Sequence, residues 1–353
     1  MNQQIYTYDK AFHLEGGGIL PALEIAYHTY GTINEEKNNV VWVCHALTAN
    51  SDVFDWWSGL FGEDSLFNPE EYFIVCANNL GSCYGTTGPL SINENIKQPW
   101  FAYFPDVTIR DMVNVHDLLR EHLGIDKINT IIGGSQGGQQ VLEWNILKPE
   151  LFENTIVVAT NAKHSAWGIA FNEAQRLAIK ADRTYYANLP EGGSKGLQAA
   201  RAVALLSYRG YDAYNATQSE TNNEKLNDFN ASSYQRYQGQ KLVKRFNAYS
   251  YVVLSNAMDS QNVGRKRGSV EQALQQITAQ TLVIAVNSDV LFPPEEQWFI
   301  SENIKDAEFS AIDSSFGHDG FLIETEKLTN VIGNFLARKS KNVKKPATAV
   351  ITK

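Results

Sequence analysis

Residues 129–144 read NTIIGGSQGGQQVLEW. Thr130, Ile131 and Ile132 form the short apolar run that ends a buried strand. Gly133 to Gly138 is a tight turn around Ser135, and Gln139 to Leu147 resumes with helical spacing. A serine in G-x-S-x-G between strand and helix sits at a strained backbone position. The residues two before and two after it, Gly133 and Gly137, are glycine so that strand and helix can approach. The arrangement predicts an Oγ presented at the carboxyl end of a sheet, with a helix N-terminus aimed at any anion that forms beside it. A glycine-rich turn holding a serine by chance would need neither the strand before it nor the helix after it.

Outward from this turn, apolar runs and helical patterns alternate. Upstream, Val40 to Cys44 and Tyr72 to Ala77 are continuous apolar runs that suit strands buried on both faces. Val107 to His122 has helical spacing closed by Gly124, and Ile5 to Tyr30 alternates around a Glu15–Gly18 turn as an antiparallel hairpin or short edge strands. Downstream, Thr155 to Ala159, Gln280 to Val286 and Ala307 to Ile312 are further strands, and Leu328 to Arg338 is a terminal helix. The loop at 78–89, NNLGSCYGTTGP, is long and glycine-rich, which predicts that it shapes a site. Between Lys163 and Thr278 the strand runs stop. Helical periodicity takes over at Ala170–Ala181, Leu197–Tyr208 and Tyr249–Asp259, with Glu191 to Gly193 and the polar tract Ala216 to Asn230 as punctuation. The pattern predicts an α/β-hydrolase fold: a mostly parallel sheet with helices on both faces and an inserted helical lid over the carboxyl-end crevice. The expected boundaries are core at 1–162, lid at 163–278, core again at 279–340 and a basic, threonine-rich tail at 341–353.

A serine nucleophile needs a base within hydrogen-bond reach and a carboxylate to orient that base. In this fold the chain order is Ser, then Asp, then His. Asp289 follows the strand ending at Val286, and His318 lies in the loop after the strand ending at Ile312. Of seven histidines only His164 and His318 follow Ser135. Ser135, Asp289 and His318 are therefore the candidate triad, with Asp313 a nearby competitor for the carboxylate. An oxyanion hole would use the backbone N–H of Gln136 and of Leu47, the latter in the His45–Thr48 loop after the third strand. His45 itself reads as a structural histidine that props this loop.

Composition narrows the field. A net charge of −9 leaves no basic stripe for nucleic acid, and no apolar run approaches a membrane span. Cys44, Cys76 and Cys83 cannot all pair and show no metal-site spacing, so reduced thiols in a soluble cytoplasmic protein are expected, with no metal or bound cofactor. The densest basic cluster, Arg265, Lys266 and Arg267, reads either as a solvated turn or as a lid-mouth site for phosphates.

Nine collinear stretches carry a specific resemblance: CHALT (44–48), NNLGSCYGTTGP (78–89), FPDVTIRDMV (104–113), GGSQGGQQVLEW (133–144), ATNAKHS (159–165), AFNEAQRLAI (170–179), NVGRKRG (262–268), NSDVLFPP (287–294) and GHDGFL (317–322). Together they resemble the homoserine O-acetyltransferase family over most of the chain. The resemblance implies acetyl transfer from acetyl-CoA to L-homoserine in methionine biosynthesis, and a homodimer through the lid. The triad it implies falls on Ser135, Asp289 and His318. The amino-acid-binding pair it implies falls on Arg176 and Asp319, whose charges would complement a zwitterion. Gln136 stands where methionine is common, Ala49-Asn50 replaces a glycine, and Ser82 replaces another. Succinyl-CoA as donor, serine or water as acceptor, and a non-catalytic binding protein are the competing readings.

Overall fold

The computed structural model describes residues 2–342. Eight strands form one sheet: β1 (Gln4–Tyr8), β2 (Leu23–Tyr30), β3 (Val40–Cys44), β4 (Phe73–Ala77), β5 (Ile128–Gly134), β6 (Phe152–Val158), β7 (Gln280–Val286) and β8 (Glu308–Ile312). Their order is β1-β2-β4-β3-β5-β6-β7-β8. β1 and β2 pair antiparallel, β2 pairs antiparallel with β4, and β4 through β8 are mutually parallel. The fold is the one the alternating pattern predicts.

Pleat alternation divides the core. On β3, Val40, Trp42 and Cys44 face one apolar layer while Val41 and Val43 face the other, and all five are buried. The first layer is closed by α1 (Ile109–His122) and α2 (Gln136–Leu147), where Trp42 meets Trp144 edge to face at 5.1 Å. α1 starts at a capping box in which Thr108 and Asp111 satisfy each other's backbone N–H. The second layer is closed by Trp57, Phe61, Phe67 and by Leu328, Ile332 and Phe335 of the last helix, Thr325–Asn342. The expected tail lies outside the described residues from 343 onward, and residues 341 and 342 still belong to that helix.

Between β6 and β7 the chain runs through α3 (Ala166–Ala181), α4 (Ser194–Tyr208), α5 (Tyr211–Gln218), α6 (Asn230–Val243) and α7 (Ala248–Asp259). The excursion is drawn together at its neck by an antiparallel bridge between Lys163 and Asn262. Residues after that bridge return to the core, where the short helix Val270–Leu274 packs against α2. α5 and α6 fall partly inside or just beyond the tract read as punctuation. Among the described residues no helix is long and apolar enough to cross a membrane.

The loop at 78–89 is a buttress. Thr86 and Thr87 accept from the N–H groups of Ala26 and Glu24 on β2, and Asn79 N–H donates to His45 Nε2 at 3.0 Å. None of its residues lines the cavity that holds Ser135. A recess of about 600 Å³ lies against this loop and β2, and neither Ser135 nor His318 lines it.

Candidate active site

Ser135 joins β5 to α2 with φ of 56°, a conformation that costs a non-glycine residue energy and is held here by packing. A Cβ on Gly137 would lie 2.1 Å from the Cys44 carbonyl oxygen, and one on Gly133 would lie 2.5 Å from the Gly137 carbonyl carbon. The ends of β3, β5 and α2 therefore meet backbone to backbone. Thr160 Oγ donates to the Ser135 carbonyl at 2.6 Å.

Ser135 Oγ is 2.9 Å from His318 Nε2, and His318 Nδ1 is 2.6 Å from Asp289 Oδ2. The other oxygen, Asp289 Oδ1, accepts from the N–H groups of Leu291 and Phe292, each at 2.9 Å. Those two bonds fix the carboxylate's rotamer and leave Oδ2 for the histidine. Asp313 is directed elsewhere: its Oδ1 accepts from Asn287 Nδ2 at 2.5 Å. Rings of Phe292, Phe321 and Tyr208 surround the imidazole, with centroids 5.1, 5.2 and 5.8 Å away. Leu47 lines the cavity beside Ser135. Gln136 opens α2, so its N–H belongs to the first helical turn, where backbone donors have no intrahelical acceptor. Its side chain donates to the Leu254 carbonyl at 2.9 Å, tying the turn to α7.

His45 is held by both nitrogens, Nδ1 on the Ala46 carbonyl at 2.8 Å and Nε2 on Asn79 N–H. These bonds select the neutral tautomer, and burial lowers its pKa to about 4. It props the Leu47 loop.

Two expected binding roles need correction. Arg176 does not line the cavity with Ser135. It is buried, its guanidinium bonded to Glu173 at 2.8 Å and Asp259 at 2.5 Å, with Ser255 Oγ at 3.4 Å. It clamps α3 to α7, and its fork is already filled by carboxylates. Both arginines of the basic cluster at 265–267 are likewise committed to ion pairs. Arg265 pairs with Glu15 at 2.8 Å, Arg267 with Glu143 at 2.6 Å, and Arg110 bridges both glutamates. Only Lys266 of the three is exposed. Asp259, Glu15 and Glu143 lie far away in sequence from the arginines they meet, whereas Glu173 is three residues from Arg176 on the same helix.

A cation that does line the Ser135 cavity is Arg201, on α4. The cavity, of about 520 Å³, is lined by Ser135, His318, Asp319, Arg201 and Tyr208 among others. Arg201 and Tyr208 are seven residues apart on one helical face, and the guanidinium sits 5.3 Å from the tyrosine ring centroid. Among the described residues no carboxylate lies within ion-pair distance of Arg201. Asp319 pairs with Arg209 at 2.8 Å. Burial raises the Asp319 pKa, and the neighbouring Arg209, Arg201 and His318 oppose that shift. The signal for Arg201 was in the sequence: the one charged residue of Leu197–Tyr208, with an aromatic seven residues on, here read only as lid periodicity.

A serine on a strained strand-to-helix turn, with a histidine and a carboxylate behind it at later strand ends, defines a serine-nucleophile enzyme of the α/β-hydrolase fold. A family profile described as alpha/beta hydrolase fold matches residues 39–325. The homoserine O-acetyltransferase of Cyclobacterium marinum is 50% identical over 335 residues, 95% of each chain. The chain belongs to the homoserine O-acetyltransferase family. The solved homoserine O-acetyltransferase from Bacillus anthracis superposes with a TM-score of 0.87 at 23% identity, covering 95% of this chain and 97% of that one. The acetyl esterase MekB superposes at 0.84 and 20% identity, covering 96% and 97%. At such identities these two neighbours speak to the fold alone.

Proposed function

We propose that the chain transfers an acetyl group from acetyl-CoA to the hydroxyl of L-homoserine, a step of methionine biosynthesis, by a ping-pong reaction through acetyl-Ser135. His318 Nε2 takes the Ser135 proton as Oγ attacks the thioester carbonyl. The N–H groups of Leu47 and Gln136 hold the oxyanion. Collapse breaks the carbon–sulfur bond, and the departing CoA thiolate takes the proton from His318. The homoserine hydroxyl then gives its proton to His318 and attacks the ester, and collapse returns the proton to Ser135. Asp289 keeps the imidazole in the tautomer with Nε2 facing the serine and stabilises its protonated form.

The observation that carries this reading over plain ester hydrolysis is the pair of charges beside Ser135. Arg201 suits an acceptor's carboxylate, and Asp319, whose pair with Arg209 uses Oδ2, keeps Oδ1 for its ammonium, which is what a zwitterionic amino acid needs once water is excluded. The excursion between Lys163 and Asn262 serves as the lid. A homodimer through this region draws support from exposed Leu206, Tyr211 and Leu226. The free thiols of Cys44, Cys76 and Cys83 suit a cytoplasmic setting.

Intact-protein mass spectrometry after mixing with acetyl-CoA alone tests the first half-reaction. One acetyl adduct is expected, absent from Ser135→Ala. An adduct that persists in that variant would overturn the role of Ser135.

A further inference from the structure

The coenzyme of an acyl-CoA carries several phosphate charges, and this protein has a net charge of −9. Its mouth must therefore offer local, uncompensated cations if the donor is to dock. The arginines at 265 and 267 are already committed to glutamates, so the phosphates need another partner.

Lys241, in the last turn of α6, and Arg245, just beyond it, line the same cavity as Ser135. They also line a small side recess that Arg201 shares, which makes the basic wall continuous from the serine outward. Both side chains are exposed, and among the described residues neither has a carboxylate within ion-pair distance. Arg245 is held by neutral oxygens only: Nη1 donates to the Thr48 carbonyl and to the Tyr84 hydroxyl, each at 2.6 Å. These bonds fix the guanidinium at the rim and leave Nε and Nη2 as donors. Of the carboxylates lining this cavity, Asp319 is paired with Arg209, and Asp55 on the 50–56 segment is not within ion-pair distance of either cation.

We propose that Lys241 and Arg245 form the docking site for the phosphates of the CoA thioester, so that the donor enters along α6 and reaches Ser135 past Arg201. The proposal rests on the acetyl-CoA reading above. It divides the cations by task, with Arg201 beside the serine for the acceptor and Lys241 and Arg245 at the rim for the coenzyme.

The test compares two acetyl donors with one thioester and different tails: acetyl-CoA, and S-acetyl-N-acetylcysteamine, which lacks the nucleotide. Lys241→Glu is the main variant because its side chain props no loop, and Arg245→Gln is the second. Acylation of Ser135 is followed by mass. Lys241→Glu should lower kcat/KM for acetyl-CoA about tenfold or more and flatten its dependence on salt, while leaving the truncated donor unchanged. Arg245→Gln should lower acetyl-CoA more than the truncated donor.

Equal losses with both donors in Lys241→Glu would overturn the proposal, as would no loss with either. So would a loss confined to succinyl-CoA with acetyl-CoA unaffected, which would assign these cations to the acyl tail. Wild-type enzyme that acylates from acetyl-CoA beside an unaffected Lys241→Glu sinks the phosphate site and leaves the proposed reaction standing. Wild-type enzyme that never acylates from acetyl-CoA sinks both.

Discussion

Arg201 and Arg176 differ in what their guanidinium groups already hold. Arg176 is buried between Glu173 and Asp259, whereas Arg201 faces the cavity with no carboxylate in reach among the described residues. Arg201→Lys removes the planar fork that grips a carboxylate by two parallel bonds but keeps the charge. The KM for homoserine should rise at least about tenfold, or about 1.4 kcal/mol, with acylation by acetyl-CoA largely intact. Arg176→Lys should lower thermal stability and leave the acceptor KM near normal. The reverse pattern in steady-state kinetics would return the acceptor role to Arg176. Single residues were legible in the sequence where topology fixes them. Ser135, Asp289 and His318 follow from strand ends and chain order, and the structure sets them within hydrogen-bond distance. The full partner sets of charged side chains were not: Arg265 meets Glu15 from another part of the chain, and Arg176 meets Asp259 of α7 besides Glu173 of its own helix.

At the scale of elements, the strand-to-helix turn is held by the closeness of three backbones. Gly137→Ala would push a methyl into the Cys44 carbonyl, a backbone atom with nowhere to go. It should cost more than about 3 kcal/mol or prevent folding, because overpacking against backbone is poorly relieved. Gly333→Ala is the control: in the middle of the last helix its nearest neighbour, a Leu66 methyl, is 3.6 Å away. It should be neutral or stabilise by up to about 1 kcal/mol through helix propensity. Urea midpoints for the two variants check both signs, and a Gly137→Ala protein as stable as wild type would contradict the close approach. Strands buried on both faces announce themselves as continuous apolar runs, which is why β3, β4, β5 and β7 were readable. The helices Asn230–Val243 and Pro294–Asn303 were not. The first buries only Gly239 and Leu242, and in the second Trp298 and Phe299 are exposed while Gln297 is buried, so neither shows an apolar stripe. The 78–89 loop bears on the site from behind, through the His45 loop that carries Leu47. Thr86 and Thr87 fasten it to β2, Asn79 fastens it to the His45 loop, and Cys83 and Tyr84 meet Arg245 at the mouth.

For the whole molecule, one fold serves two half-reactions that share a serine but need different surroundings. The sheet supplies the relay, and the excursion between β6 and β7 supplies Arg201, Lys241 and Arg245, cations without a carboxylate in ion-pair distance among the described residues, in a chain of net charge −9. Fold alone does not choose the acceptor, since an acetyl esterase superposes as well as an acyltransferase does. The choice rests on whether the acetyl-enzyme waits for an amino acid. The most direct measurement loads the enzyme with labelled acetyl from acetyl-CoA, removes CoA by rapid gel filtration, and mixes the acetyl-enzyme with homoserine or with buffer alone. Label should leave Ser135 for O-acetylhomoserine on the order of 10² times faster than it leaves for acetate in buffer, reflecting the positioned acceptor. Loss to acetate at one rate whether or not homoserine is present, or transfer to homoserine only while CoA remains, would contradict the account.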